Sequence, residues 1–340
     1  MAEWPEMWVD LSALVALVGL MAYALLGGAD FGGGVWDLFA WGERQKEQRL
    51  AIQRAMGPVW EANHVWLIFV LVVLFTCFPR GYSVLSIALF LPFHLALLGI
   101  MLRGASFVFR SYQSRQEAAA AETSAWGVVF GVASLISPFL LGTAFGIVTE
   151  GAIEVTEDRE VVFSRPAPWL SPYSVTNGLL ALSTCAYLAA VYLTNETDGP
   201  LREDFRLRAI FAGTLTAFLA GLVLLFAWQE ATWFFHRLLS WRAAPIVALG
   251  LVCFAGSAWS VFTRRYRLSR LFAASEIALL LLGWAAAQYP YLVYPDIPFA
   301  QAAAPRATLQ FVLLSLPFGA LLLVPSLWLL FRVFKSQPQL

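Results

Sequence analysis

Long apolar runs dominate the chain, each closed by charge, proline or a glycine cluster. They predict membrane-spanning helices near 8–29, 58–78, 82–102, 125–148, 172–194, 207–228, 244–263, 270–289 and 308–332. A pass through a hydrocarbon core of about 30 Å needs around 20 residues at about 1.5 Å each, so every run is long enough to cross. The pattern predicts an all-α polytopic membrane protein of about nine transmembrane helices. Two stretches depart from it. The connection 149–171 alternates Ile153 and Val155 and then Val161, Val162 and Phe163, as a small hairpin would. The segment YPYLVYPD at 289–296 ends the eighth run, because Pro290 and Pro295 cannot continue a helix. The organisation expected is a four-span N-terminal bundle over 1–148, an outer loop over 149–171 and a five-span region over 172–340.

Composition agrees. Of 340 residues 60% are hydrophobic and 13% charged, against about 25% charged in an ordinary soluble domain, which excludes a water-soluble globule. Lysines and arginines number 22, as do the acids, so net charge implies no nucleic-acid partner. The distribution of charge says more. With the N-terminus outside, sixteen basic residues fall on the inner side, including Arg44, Lys46, Arg49, Arg54, Arg103, Arg110, Arg208 and Arg264, and six on the outer. Short cytoplasmic loops carry such an excess, so the expected topology is N-terminus out, C-terminus in. The N-terminal MAEWPEM is acidic where a secretory signal wants basic residues, so the first run is expected to stay as a span. Cys77, Cys185 and Cys253 have no metal or redox spacing and read as buried thiols.

Ionisable residues inside spans are costly and usually face a cavity or a partner, which makes them the functional candidates. In GGADFGGG, residues 27–34, Ala24, Gly28 and Gly32 recur every four residues, a small-residue stripe expected to seat a partner backbone. Asp30 sits in that surface, and Asp37, seven residues on, shares its face. These carboxylates read either as functional groups or as interfacial groups near Arg44 or Lys46. In GPVWEANHVW, residues 57–66, Pro58 suits a helix first turn, and Trp60, Glu61 and His64 at helical spacing form one polar patch. Glu61 there suits proton transfer. His64 and His94 fall at similar depths on adjacent runs, so a bis-His haem is geometrically open beside ordinary hydrogen-bonded histidines. Glu276 is expected to pair with Arg267 or Arg270, or to relay protons. No P-loop, Rossmann glycine pattern, nucleophile elbow or zinc motif occurs, so the chemistry is protonic, electronic or supplied by a partner.

The segments 27–34 and 57–66 together resemble the N-terminal signature of subunit II of the cytochrome bd quinol oxidases. LRG at 102–104, SPFLLGTAFG at 137–146 and YPY at 289–291 follow in the family's order, and the span count agrees. The resemblance implies two four-helix bundles plus one extra helix, packed against a larger subunit I that bears haems b and d, or b only, and the quinol site. This chain itself would ligate no haem or metal. It implies a bacterial inner-membrane terminal oxidase reducing O2 to water, in some members with a small single-span subunit. It also assigns Glu61 to a cytoplasmic proton-uptake path, with Trp60 beside it a motif position and Asp30 a second acidic one, while His64, a candidate from its spacing to Glu61, stands where better-known members carry glutamine. Two other readings stand beside this one: a proton-coupled secondary transporter using a glycine-broken first helix with Asp30 and Glu61, and the bis-His haem protein.

Overall fold

The computed structural model describes residues 3–56, 60–116 and 125–335. The first run forms α1 (Glu3–Leu38), and the helix continues unbroken through the glycines to Leu38 instead of ending near 29. The short amphipathic α2 (Gln45–Met56) buries Gln48, Ile52 and Met56, one residue per turn. It meets α3 (Trp60–Cys77) at 52°. Gly57, Pro58 and Val59, expected to open α3, lie outside the described residues.

The third predicted span is displaced. What reads as one run over 82–102 is divided between α4 (Pro79–Ala88) and α5 (Phe90–Gln116), and the stretch of α5 that can cross a membrane is Phe90–Arg110. A hydropathy window stops at a charge, yet Arg103 and Arg110 are only 1% and 8% exposed. Arg208 is buried too. Three of the sixteen basic residues assigned to the inner side therefore serve inside the helical bundle, where hydrogen bonds offset the cost of burying charge.

Next comes α6 (Ala125–Glu150), with Pro138 inside it. Ser134 and Ser137 return hydrogen bonds to the carbonyls of Phe130 and Ala133 at 2.7 and 2.9 Å, as serines do in apolar helices. The alternating segment forms β1 (Ile153–Val155) and β2 (Val161–Phe163), antiparallel with Ile153 opposite Phe163, the hairpin the pattern predicts. Ser171 caps α7 (Pro172–Glu196), its Oγ accepting from the Ser174 amide at 3.0 Å, with Pro172 in the first turn. There follow α8 (Gly199–Glu230), α9 (Thr232–Leu238), α10 (Ala244–Phe262) and α11 (Tyr266–Gln288). The prolines then turn the chain into β3 (Tyr291–Val293) and β4 (Ile297–Pro298), before α12 (Phe299–Ala302) and α13 (Arg306–Lys335). Asp296 Oδ2 accepts from the Val155 amide at 2.7 Å, tying the two hairpins together at one end of the molecule.

Among the described residues eight helices are long and apolar enough to cross a membrane, nine if α2 and α3 count as one bent span. One group of four comprises α1, α3, α5 and α6, a second α7, α8, α10 and α11, and α13 is the additional helix. Contact between the groups runs along α1, which packs on α3, α6 and α7, and along α6 against α7. Helix α13 touches α1 and α3 and turns most of its surface outward, with Phe311, Phe318, Leu321 and Leu322 each 73–75% exposed.

The intact α1 corrects two expectations. A transporter built on a glycine-broken helix has no such break here. The small-residue stripe, expected to seat a partner, instead seats this chain's own helices. A Cβ on Gly32 would overlap the carbonyl oxygen of Cys185 in α7, and one on Gly34 the hydroxyl of Ser134 in α6. Glycine is needed there for backbone approach.

Candidate functional site

The continuation of α1 past residue 29 carries Asp30 into the interior, where it is 4% exposed. Asn63 of α3 donates from Nδ2 to Asp30 Oδ2 at 2.7 Å. One turn of α5 supplies the centre of the site. Arg103 donates from NH2 to the Asp30 carbonyl at 3.0 Å and from Nε to Ser134 Oγ of α6 at 3.2 Å, and its NH1 lies 3.3 Å from His64 Nε2. The guanidinium also packs over the rings of Phe31 and Phe130, at 5.2 and 5.1 Å. Four helices thus converge on one buried cation, whose donors meet oxygen or nitrogen and whose faces meet aromatic rings.

Glu61 stands apart from that core. It lies on the exposed side of α3, three residues before His64, and both border a groove of about 550 Å³ between α3 and α5. Met101, Gly104, Ala105 and Val108 line the other wall, so the groove is apolar except at the Glu61–His64 edge. His64 is the link, touching the groove on one side and Arg103 on the other. Trp60 opens α3; its side chain lies outside what the structure describes.

Of the predicted residues, the fold brings Asp30 and His64 together through Arg103 and sets Glu61 at the groove beside them. Sequence reasoning missed Arg103, Asn63 and Ser134 as members of the site. The signal for Arg103 was its place in LRG at 102–104, directly after an apolar run, but a charge there reads as the end of a span.

Other pairings differ from expectation. Asp37 is not the partner of Arg44. It holds Arg110 of α5 through both oxygens, at 2.6 and 3.1 Å, while Arg44 takes Asp204 of α8 at 2.8 and 2.6 Å. Glu276 pairs with neither Arg267 nor Arg270: its Oε2 is buried without a hydrogen-bond partner among the described residues, and Arg270 reaches Glu196 at 3.6 Å.

The histidines do not form a haem site. The shift of the third span puts His94 in the first turns of α5, nine residues and about 13 Å along the helix from Arg103, the neighbour of His64. His94 is exposed, and its Nδ1 contacts the Phe90 carbonyl of its own helix at 2.7 Å. The two imidazoles do not face each other, so this pair does not fit an axial-ligand set. Among the described residues no group of three His, Cys, Asp or Glu side chains could hold a metal ion.

Known proteins resemble this arrangement throughout. The family model described as cytochrome bd terminal oxidase subunit II matches residues 9–334. Cytochrome bd ubiquinol oxidase subunit 2 of Bacillus subtilis is 29% identical over 283 residues, 83% of this chain and 78% of that protein. Cytochrome bd-I ubiquinol oxidase subunit 2 of Escherichia coli K12 is 29% identical over 204 residues, 59% of this chain and 52% of its own length. A chain in the structure of bd oxidase from Geobacillus thermodenitrificans superposes with a TM-score of 0.81, covering 97% of this chain and 100% of that one at 24% identity, and so shares the fold. With a family match over nearly the whole chain and the same fold from end to end, this multi-pass membrane protein belongs to the cytochrome bd terminal oxidase subunit II family.

Proposed function

We propose that the chain works in the bacterial cytoplasmic membrane as subunit II of a quinol-oxidising, oxygen-reducing complex and supplies part of its proton-uptake path. In this reading a partner subunit I carries haems b and d, or b only, and the quinol site, a small single-span subunit is a further candidate partner, and this chain contributes no haem ligand. The N-terminus faces outward and the C-terminus the cytoplasm, and 1–148 and 172–340 act as halves joined by the outer 149–171 loop.

The observation that carries the proton-uptake role is the placement of Glu61. Its carboxylate stands at an exposed edge of a groove, on the same helix face as His64, which in turn adjoins the buried Asp30–Asn63–Arg103 cluster. Oxygen reduction consumes protons, which must leave water and enter apolar protein. An exposed carboxylate at the end of a span accepts a proton from solvent, and the polar atoms behind it receive that proton in surroundings already hydrogen-bonded. Asn63 orients the Asp30 carboxylate, and Arg103 holds α1, α3 and α6 in register about it. Trp60, the first residue of α3 and next to Glu61 in the chain, is the further candidate of this path.

Glu61→Gln tests this in the purified complex. The amide keeps shape and hydrogen bonding but cannot accept a proton near neutral pH, so quinol-driven oxygen consumption should fall by on the order of tenfold or more while the haem spectrum is unchanged. Glu61→Asp should retain much activity. An assembled Glu61→Gln complex turning over at the wild-type rate would remove Glu61 from the path. Orientation is tested separately by reporter fusions at positions 48 and 160, expected to report inside and outside respectively.

A further inference from the structure

Where α7 passes into α8 and α10 into α11, the two turns enclose a concavity of about 420 Å³, with Thr194 and Asn195 on one side and Arg202, Arg264, Arg265 and Arg267 around it. The enclosure is built. Asn195 Nδ2 donates to the Tyr266 carbonyl at 3.1 Å, joining the two turns, and the Arg202 guanidinium packs over the Tyr266 ring at 5.1 Å.

Charge in this region does not balance. Asp198 pairs with Arg202 at 2.6 Å, Glu203 is shared by Arg206 at 2.5 Å and Arg264 at 3.5 Å, and Glu196 meets Arg270 at 3.6 Å. Asp204, the remaining acid of this stretch, is held by Arg44 and Gln48. Six guanidinium groups therefore face three carboxylates, and among the described residues Arg265 and Arg267 have no carboxylate partner.

The backbone supplies an independent observation. Arg264 closes α10 at a φ of 61°, the left-handed conformation in which helices usually place glycine. An arginine is kept where glycine would be easier, and its side chain lines the concavity. A topological excess of positive charge asks only for cations on a loop surface, not for an enclosure or a strained residue. Below the arginines the exposed flanks are apolar: Trp259, Phe262, Leu268 and Leu271 all face outward, and Arg265 lies over the Trp259 ring at 4.8 Å.

We propose that this concavity binds the phosphate of an anionic phospholipid headgroup, with the arginines around the phosphate and the acyl chains along the apolar flank. Guanidinium groups match phosphate oxygens in pairs, and basic residues at the membrane surface draw anionic lipid. Phosphate is the recognised chemistry. The membrane is the source that the apolar flank favours over free phosphate.

The purified complex is reconstituted in phosphatidylcholine nanodiscs with or without phosphatidylglycerol, and lipid retained after release into detergent is counted by native mass spectrometry. Wild type and Arg54→Gln, a neutralised exposed arginine on α2, should retain phosphatidylglycerol. The Arg264→Gln/Arg265→Gln/Arg267→Gln variant should bind it more weakly by on the order of tenfold or more. If that variant fails to assemble, Arg267→Gln alone should lose a few-fold. Arg264→Gly separates binding from folding, since it should raise the thermal midpoint and lower lipid retention together. In phosphatidylcholine alone, added inorganic phosphate should raise the midpoint weakly. Protection by phosphate equal to that by phosphatidylglycerol would keep the anion site but overturn its lipid assignment. Equal retention by wild type and the arginine variants, with no effect of phosphate, would overturn the proposal entirely. These readouts do not involve turnover, so they stand or fall separately from the role of Glu61.

Discussion

Asp30 and Glu276 are both carboxylates set in apolar helices, one in each four-helix group, and the protein treats them oppositely. Asp30 receives Asn63 at 2.7 Å, and a fully buried guanidinium lies against its backbone carbonyl at 3.0 Å. Glu276 has one oxygen buried with no hydrogen-bond partner among the described residues. Nearby polar groups of the second group satisfy one another, Tyr187 and Ser257 sharing a hydrogen bond of 2.5 Å between their hydroxyls. The first arrangement draws on four helices and adjoins a groove. The second carboxylate has an oxygen to which no neighbouring helix among the described residues offers a donor. A buried charge is retained at low cost only where the surrounding elements offer it donors, so the polar network around Asp30, more than the presence of a carboxylate, marks the site.

The contrast can be broken most severely at Arg103. Replacing it with Met leaves the Asp30 carbonyl, His64 and Ser134 without their common partner and takes away the buried cation near the Asp30 carboxylate, and breaking such buried compensation costs about 3–5 kcal/mol. Arg103→Met should therefore yield little folded chain, measured as the thermal midpoint and recovery from membranes, and Asp30→Asn in the same chain should restore part of the loss. A wild-type midpoint for Arg103→Met alone would mean that the cluster is not held by charge.

A smaller effect is expected one helical heptad further on. Asp37 and Arg110 form a buried pair, their side chains 3% and 10% exposed. With its amide oxygen turned toward Arg110, Gln53 also accepts from NH2 and Nε at 2.8 and 2.9 Å. That second acceptor limits the damage, so Asp37→Asn should cost about 2–3 kcal/mol in denaturant or thermal unfolding. A loss as large as that of Arg103→Met would show that Gln53 does not substitute.

Glu276 is the mildest case and carries the opposite sign. Replacing a half-buried carboxyl that has one oxygen without a hydrogen-bond partner with an apolar side chain of similar size should stabilise, here by about 1–2 kcal/mol for Glu276→Met, since the desolvation cost disappears. Oxygen consumption should be unchanged. A destabilised Glu276→Met complex would mean that the carboxyl finds its partner in another subunit, and the contrast with Asp30 would dissolve.

Much of the molecule was legible along the chain because its causes are local. Nine apolar runs mark the spans, alternation at 153–163 marks a hairpin, and two prolines stop the helix at 289–296. Asp30, Glu61 and His64 stand out because charge and imidazole are rare in such runs. What misleads is the treatment of each charge as the edge of a span. That assumption displaced the third helix by about eight residues, set His94 opposite His64, and put Arg103 in a loop.

The sequence by itself determined that this chain crosses a membrane many times, where most crossings lie, and which family signature it carries, because hydropathy, proline and motif order need only neighbouring residues. The tertiary structure alone decided which charges are compensated. Asp30 and Arg103 are 73 residues apart, as are Asp37 and Arg110, and Arg44 lies 160 residues from Asp204. The glycines of 27–34 show only that something comes close. That it is α7 at Gly32 and α6 at Gly34 follows from how the helices pack. Burial of charge depends on donors brought from distant elements, and no window along the chain contains them.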